Sequence, residues 1–144
     1  MIKNKTLFYL LSFTWGLPMT LIGCVVAVVL LATRHKPYKY GYCYCFEVCK
    51  SWGGLSLGFI IFVSKNSSDR TKAHEHGHSL QNCWLGPLMP FIVGIPSVVR
   101  YWYREWLAYH NWEKYSELSE YDAVWYEGTA SMLGRNFMDW YTTK

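Results

Sequence analysis

The sequence predicts an α+β domain held behind one N-terminal transmembrane helix. Three observations carry this reading. Residues 6–33 contain no charged side chain. Two runs rich in β-branched and aromatic residues flank Gly53-Gly54. The polar stretch TKAHEHGHSLQN, 71–82, lies between a serine-containing loop and Gly86-Pro87, as a capped helix does. The 144 residues suffice for one core. We divide them into an anchor, 1–33, and a folded domain, 34–144.

The first element is 7–32, LFYLLSFTWGLPMTLIGCVVAVVLLA. As a helix its 26 residues rise about 39 Å, against a hydrocarbon core of about 30 Å. Pro18 is expected to kink it. The apolar run exceeds the usual core of a cleaved signal peptide. Leu21-Ile22-Gly23-Cys24 looks like a lipoprotein signal, but the residues after Cys24 stay apolar. The expected partner is therefore the lipid bilayer, and the expected location a single-pass membrane protein. Arg34, Lys36 and Lys39 follow the span and tip the C-terminal domain towards the cytoplasm. The five cysteines, an odd number, tip it the same way, since reduced thiols suit that side.

Charged residues are 17% of the chain and the net charge is +4. The basic residues are scattered and do not alternate with aromatics, so no nucleic-acid partner is expected. Residues 40–64 read as two strands joined at Ser51-Trp52-Gly53-Gly54, with Leu55, Leu57, Phe59, Ile61 and Val63 on one strand. A helix then starts at Ser67 or Ser68, with Asp69 in its first turn, and ends near Trp84.

On that helix His74 and His78 are four apart and share a face within reach of one ion. Imidazole nitrogens suit Zn. Glu75 is placed to act as the base on a metal-activated water, the HExxH arrangement of zinc-dependent metallopeptidases. His76 points elsewhere on the helix and is expected to be solvated or to support the ligands. A third ligand must come from downstream, where His110, Glu113, Glu117, Glu120, Asp122, Glu127 and Asp139 are candidates. We favour Glu127. Ser119-Glu120-Tyr121-Asp122 matches a capping box for a helix containing it, and Gly128-Thr129-Ala130-Ser131 lets that helix approach another closely.

His74-Glu75-x-x-His78 with a later helical Glu127 resembles the gluzincin branch of zinc metallopeptidases. HEHGHSLQN, GPLMPFIVGIPS and VWYEGTASMLG are similar to segments of a group of small bacterial zincin-like proteins, over about 69–134. WGLPMTLIG looks like the anchor of their membrane-bound members. The resemblance implies a zincin-like helical core, zinc on His74, His78 and Glu127, and Glu75 as base. Such peptidases also hold substrate on an edge strand and stabilise the oxyanion with a side chain, for which Tyr126 and His110 are candidates. The expected function is a membrane-anchored zinc-dependent metallopeptidase acting on a peptide or protein substrate. The alternative is a small membrane protein that binds metal without turnover. Residues 84–99 are uncharged and broken by three prolines, and are expected to form a core element partly facing lipid.

Overall fold

The computed structural model describes all 144 residues. Six α-helices and a four-stranded mixed sheet surround one core. The α+β class therefore holds, with helix predominating.

The apolar N-terminal segment is two helices, not one. Helix α1 (Lys5–Phe13) and α2 (Leu17–Ala32) meet at 91°. Pro18 lies in the first turn of α2, where its missing N–H costs nothing, and the chain turns before it. Tertiary contacts hold the corner. Thr20 Oγ1 donates to Ser12 O at 2.8 Å, satisfying a carbonyl that the break exposes. Asn82 Nδ2 donates to Gly16 O, and Trp15 Nε1 donates to Trp84 O. No single helix is long and apolar enough to cross a membrane. The 16 residues of α2 rise about 24 Å, short of a hydrocarbon core of about 30 Å. Two bent pairs do pass on length and composition, α1 with α2 and 69–88 with 90–110, the latter bent by 116°.

The sheet also departs from the expected hairpin. Strands β1 (Tyr38–Tyr40), β2 (Cys43–Glu47), β3 (Gly54–Leu57) and β4 (Ile60–Val63) lie in the order β1-β2-β4-β3. The tight turns are Gly41-Tyr42 and Gly58-Phe59, and the glycines take φ of +58° and +69°. A positive φ at the first turn residue alone is the type II′ pattern that two-residue hairpins favour. Ser51-Trp52-Gly53-Gly54 instead leads to the far edge, so β4 returns into the gap and pairs parallel with β2. Hydrophobicity selects this order. All four residues of β4, Ile-Ile-Phe-Val, are buried, as befits an interior strand covered on both faces. All five cysteines are free, and Cys43, Cys45 and Cys83 are buried as packing residues.

Helix α3 (Asp69–Leu85) begins where Ser68 Oγ accepts from Thr71 N, and ends at Gly86, whose φ is +54°. It continues through a 3₁₀ turn (Gly86–Leu88) and a π turn (Pro90–Gly94) into α4 (Ile95–His110). Met89 and Val93 are buried, whereas Leu88, Phe91, Ile95 and Val99 are more than half exposed. Helix α5 (Trp112–Ser116) and a 3₁₀ turn (Tyr121–Ala123) lead to α6 (Trp125–Thr142). The expected capping box does not form. Val124 is the N-cap of α6 and offers no side-chain bond, while Asp122 is engaged elsewhere.

Helices α3 and α6 pack more extensively than any other pair of elements. Small residues make this possible. A Cβ on Gly77 would fall on the Ala130 carbonyl, and one on Gly134 would fall on the Ala73 carbonyl. His76 is fully buried in this core rather than solvated. Its ring stacks on Phe137 at 4.2 Å, and its Nε2 accepts from Tyr42 N. Burial pushes its pKa down to about 3.

Two outcomes follow for the full chain in detergent. Gly77→Ala and Gly134→Ala each force the two helices apart and cost about 2 kcal/mol or more in denaturant unfolding. His76 is protonated in the unfolded chain below about pH 6.5 but stays neutral when folded. Its contribution is therefore present above pH 6.5 and lost as pH falls towards 3, with a slope approaching 1.4 kcal/mol per pH unit, roughly. His76→Gln removes that component, read as the difference between the two pH–stability curves.

Candidate metal centre

Helix α3 presents His74, Glu75 and His78 to a cleft of about 910 Å³. Behind these side chains, fully buried, Glu127 stands in the first turn of α6, where the partial positive charge of the helix end favours a carboxylate. The structure brings His74, His78 and Glu127 together as a group that can hold a metal ion. The two Nε2 atoms are 3.1 Å apart, and Glu127 Oε2 lies 3.0 Å from that of His74 and 3.2 Å from that of His78. A tetrahedral ion with ligands at about 2.05 Å needs ligand–ligand edges of about 3.3 Å. The donor set fits with an adjustment of a few tenths of an ångström.

The surrounding hydrogen bonds fix which ring nitrogens face inward. Ser131 Oγ donates to Asp122 Oδ2 at 2.7 Å, because a carboxylate only accepts. Ser131 Oγ must then accept from His74 Nδ1, at 2.7 Å. For His78, Nδ1 donates to Gln81 Oε1 at 2.8 Å. The amide cannot be reversed, since Gln81 Nε2 donates to Tyr126 O at 2.7 Å. With both Nδ1 atoms protonated, both Nε2 atoms present lone pairs. Two imidazole lone pairs and a buried carboxylate oxygen thus converge with no donor among them. A single proton on His78 satisfies one contact and leaves the others opposed. A cation satisfies all three.

The second oxygen of Glu127 is held apart from this cluster. Ser97 and Tyr121 both donate to Oε1, the latter at 3.3 Å. Burial opposes ionisation of Glu127, but the closeness of His74 and His78 outweighs it and holds the carboxyl well below the usual range. Burial lowers the basicity of His78, yet the neighbouring Glu127 and Glu75 carboxylates raise it overall. Glu75 is also buried, against Gly54 of β3, where a Cβ would collide with its carboxylate. Burial raises its pKa, with His78 and His74 opposing. It faces the cleft beside the histidines without joining the three-atom cluster.

The remaining sequence candidates lie elsewhere. Glu113, Glu117, Glu120, Asp139 and His110 are exposed. Nδ1 of His110 lies 3.0 Å from Trp106 O, at the end of α4. Tyr126 contributes its backbone carbonyl to Gln81, and its ring does not line the cleft. Neither oxyanion candidate is therefore at the site; Tyr121 is, with its ring 6.3 Å from that of His74. Sequence reasoning missed Tyr121, Ser97, Ser131 and Gln81, and took Asp122 only as a ligand candidate or cap. A local signal existed for two of them: Gln81 is three residues after His78, and Ser131 is four after Glu127, so each shares a helix face with a ligand.

Strand β3 is an edge strand whose outer side makes no backbone hydrogen bond to another element. Gly54, Leu55, Ser56 and Leu57 all line the cleft.

Glu127→Ala is expected to abolish tight metal binding. Ser131→Ala and Gln81→Leu, which free a histidine ring to rotate or change tautomer, each weaken it by about 10- to 100-fold. Chelator competition with zinc measures all three. No family model, curated protein or solved structure matches the chain.

Proposed function

We propose that the chain is a membrane-anchored zinc-dependent metallopeptidase of gluzincin type, with His74, His78 and Glu127 as ligands and Glu75 as general base. The observation that carries this reading is the acceptor-only cluster of two tautomer-fixed histidines and a buried glutamate, set beside a second buried glutamate in a large cleft. A donor set of two imidazoles and one carboxylate is that of hydrolytic zinc sites, which leave a coordination position for substrate or water. Zinc bound there polarises a carbonyl and lowers the pKa of water.

The chain's own residues supply the rest. Glu75 takes a proton from the hydrolytic water and returns it to the leaving nitrogen. Burial raises its pKa, with His78 and His74 opposing, which strengthens it as a proton acceptor. Burial raises the pKa of the Tyr121 hydroxyl, so it stays protonated, and its proton goes to Glu127 Oε1. The free edge of β3 offers backbone donors and acceptors to an extended peptide, as strand addition requires.

The membrane location rests on exposed apolar surface. Leu21, Val25, Val28 and Val29 of α2 are all more than half exposed, as are Phe91, Val99 and Trp102. Exposed apolar side chains gathered on two segments support a membrane or partner contact. Arg34, Lys36 and Lys39 after α2 favour the cytoplasmic face.

A peptide-library digest by the zinc-loaded chain, compared with Glu75→Gln, tests the function. Glu75→Gln retains zinc and loses at least about 100-fold in hydrolysis. Turnover that survives the substitution removes Glu75 as base. A zinc-loaded wild type that cleaves nothing leaves a metal-binding membrane protein.

A further inference from the structure

The cleft beside the metal cluster has walls of unequal character. One wall is α2, through Met19, Ile22 and Val26. Another wall is the segment 89–102, including Val98. Ile22 is 51% and Val98 46% exposed, although both line the cleft. Their neighbours Val25 and Val99 extend the same apolar surface outward, at 65% and 61%. The cleft is therefore continuous with the apolar exterior along both rims. Its other end is polar. Arg70, in the first turn of α3, pairs with Asp122 at 3.4 Å, and its side chain is 76% exposed.

The contacts of α2 and α3 give this gradient a direction. The C-terminal part of α3 meets the α1–α2 corner through Asn82 and Gly16. Arg70 lies at the opposite end of the same helix. Along β3, Leu57 touches Gly23 of α2 while Gly54 touches Glu75. A segment lying on β3 therefore passes from apolar surroundings at α2 to the metal ligands, with the polar end of α3 beyond.

The lining also distinguishes two apolar occupants. A lipid acyl chain fills the apolar wall but leaves the backbone groups of the β3 edge without partners. An extended polypeptide satisfies both, with backbone on β3 and side chains against α2 and 89–102.

We propose that the substrate is a membrane-inserted polypeptide, taken at the point where it leaves the bilayer, with bulky apolar side chains on the α2 side of the scissile bond. This rests on the hydrolase reading above. The whole cleft serves as a passage from lipid to water. The mouth between α2 and α4 admits the apolar part laterally, and Arg70 and Asp122 face the emerging polar part.

The test uses the full chain with zinc in phosphatidylcholine nanodiscs. One peptide carries a Leu/Ala membrane-spanning segment followed by a polar tail, with photo-leucine beside the boundary. A second carries the same boundary and tail without the spanning segment. The inserted peptide is expected to be cleaved near the boundary at least tenfold faster than the soluble one. Ile22→Asn with Val98→Asn is expected to slow cleavage of the inserted peptide at least tenfold, and an unchanged rate overturns the proposal. Equal or faster cleavage of the soluble peptide overturns the proposal while leaving the hydrolase reading intact. If neither peptide is cleaved, the hydrolase reading falls instead. Photo-crosslinking of the inserted peptide to zinc-loaded Glu75→Gln decides the binding claim independently of turnover. Adducts on Met19, Met89 or Val98 support it, and adducts confined to residues outside the cleft overturn it.

Discussion

The close approach of α3 and α6 is the constraint on which the site depends. Glu127 reaches two histidines on another helix at 3.0 and 3.2 Å, which a carboxylate on a short stem does only when the backbones nearly touch. Gly77 against the Ala130 carbonyl and Gly134 against the Ala73 carbonyl permit that contact. Any side chain at either glycine enlarges the gap, and the ligand edges are already within a few tenths of an ångström of tetrahedral values. Packing and chemistry are thus the same requirement. A separation that lowers stability also pulls Glu127 away from the two histidines.

The buried charge completes this dependence. An ionised carboxylate with no solvent exposure costs several kcal/mol unless it is paired and hydrogen-bonded. Ser97, Tyr121 and the first turn of α6 offset part of that cost at Oε1. None of them reaches Oε2, which faces only histidine nitrogens. Ser131, Asp122, Gln81 and the Tyr126 carbonyl turn those nitrogens into acceptors. A merely structural cluster would be better served by the opposite tautomers, with N–H groups directed at the carboxylate. The polar network is arranged against that outcome, which favours the proposed metal binding over a buried ion pair.

What the sequence revealed and what it hid divide along physical lines. Helix α3 was legible from local rules, since Ser68, Asp69 and Gly86 act within one turn of the helix ends. Glu127 was legible because small residues nearby make close helix packing possible, although Ala130 and Gly134 make the contacts and Gly128 abuts Asp122. The sheet order was not legible. Gly53-Gly54 and Gly58 are both plausible turns, and the choice falls to burial of β4 between two other strands, a nonlocal effect. The corner at Trp15-Gly16 had a partial local signal in Pro18, but its angle is set by Asn82, Trp84 and Gly86 on another helix. His76 was misread because a histidine among polar residues looks solvated. Its partners Phe8, Phe137 and Tyr42 come from three distant elements.

The corner also explains why an apolar segment long enough to span a bilayer is not used as one straight rod. Thr20 and Asn82 are buried polar groups whose hydrogen-bond partners, Ser12 O and Gly16 O, lie at the bend. Straightening the segment leaves the Thr20 hydroxyl and the Asn82 amide without these partners, at about 1–3 kcal/mol for each such group. It also withdraws Gly23 from Leu57 and Thr20 from Gly58, stripping α2 from the end of β3. The bend places an apolar helix as a wall of the cleft while its outer face stays open. The proposed membrane contact and the shape of the cleft would then be coupled through one helix. A change that detaches α2 from β3 alters both, whereas a change on the outer face of α2 alters the first alone.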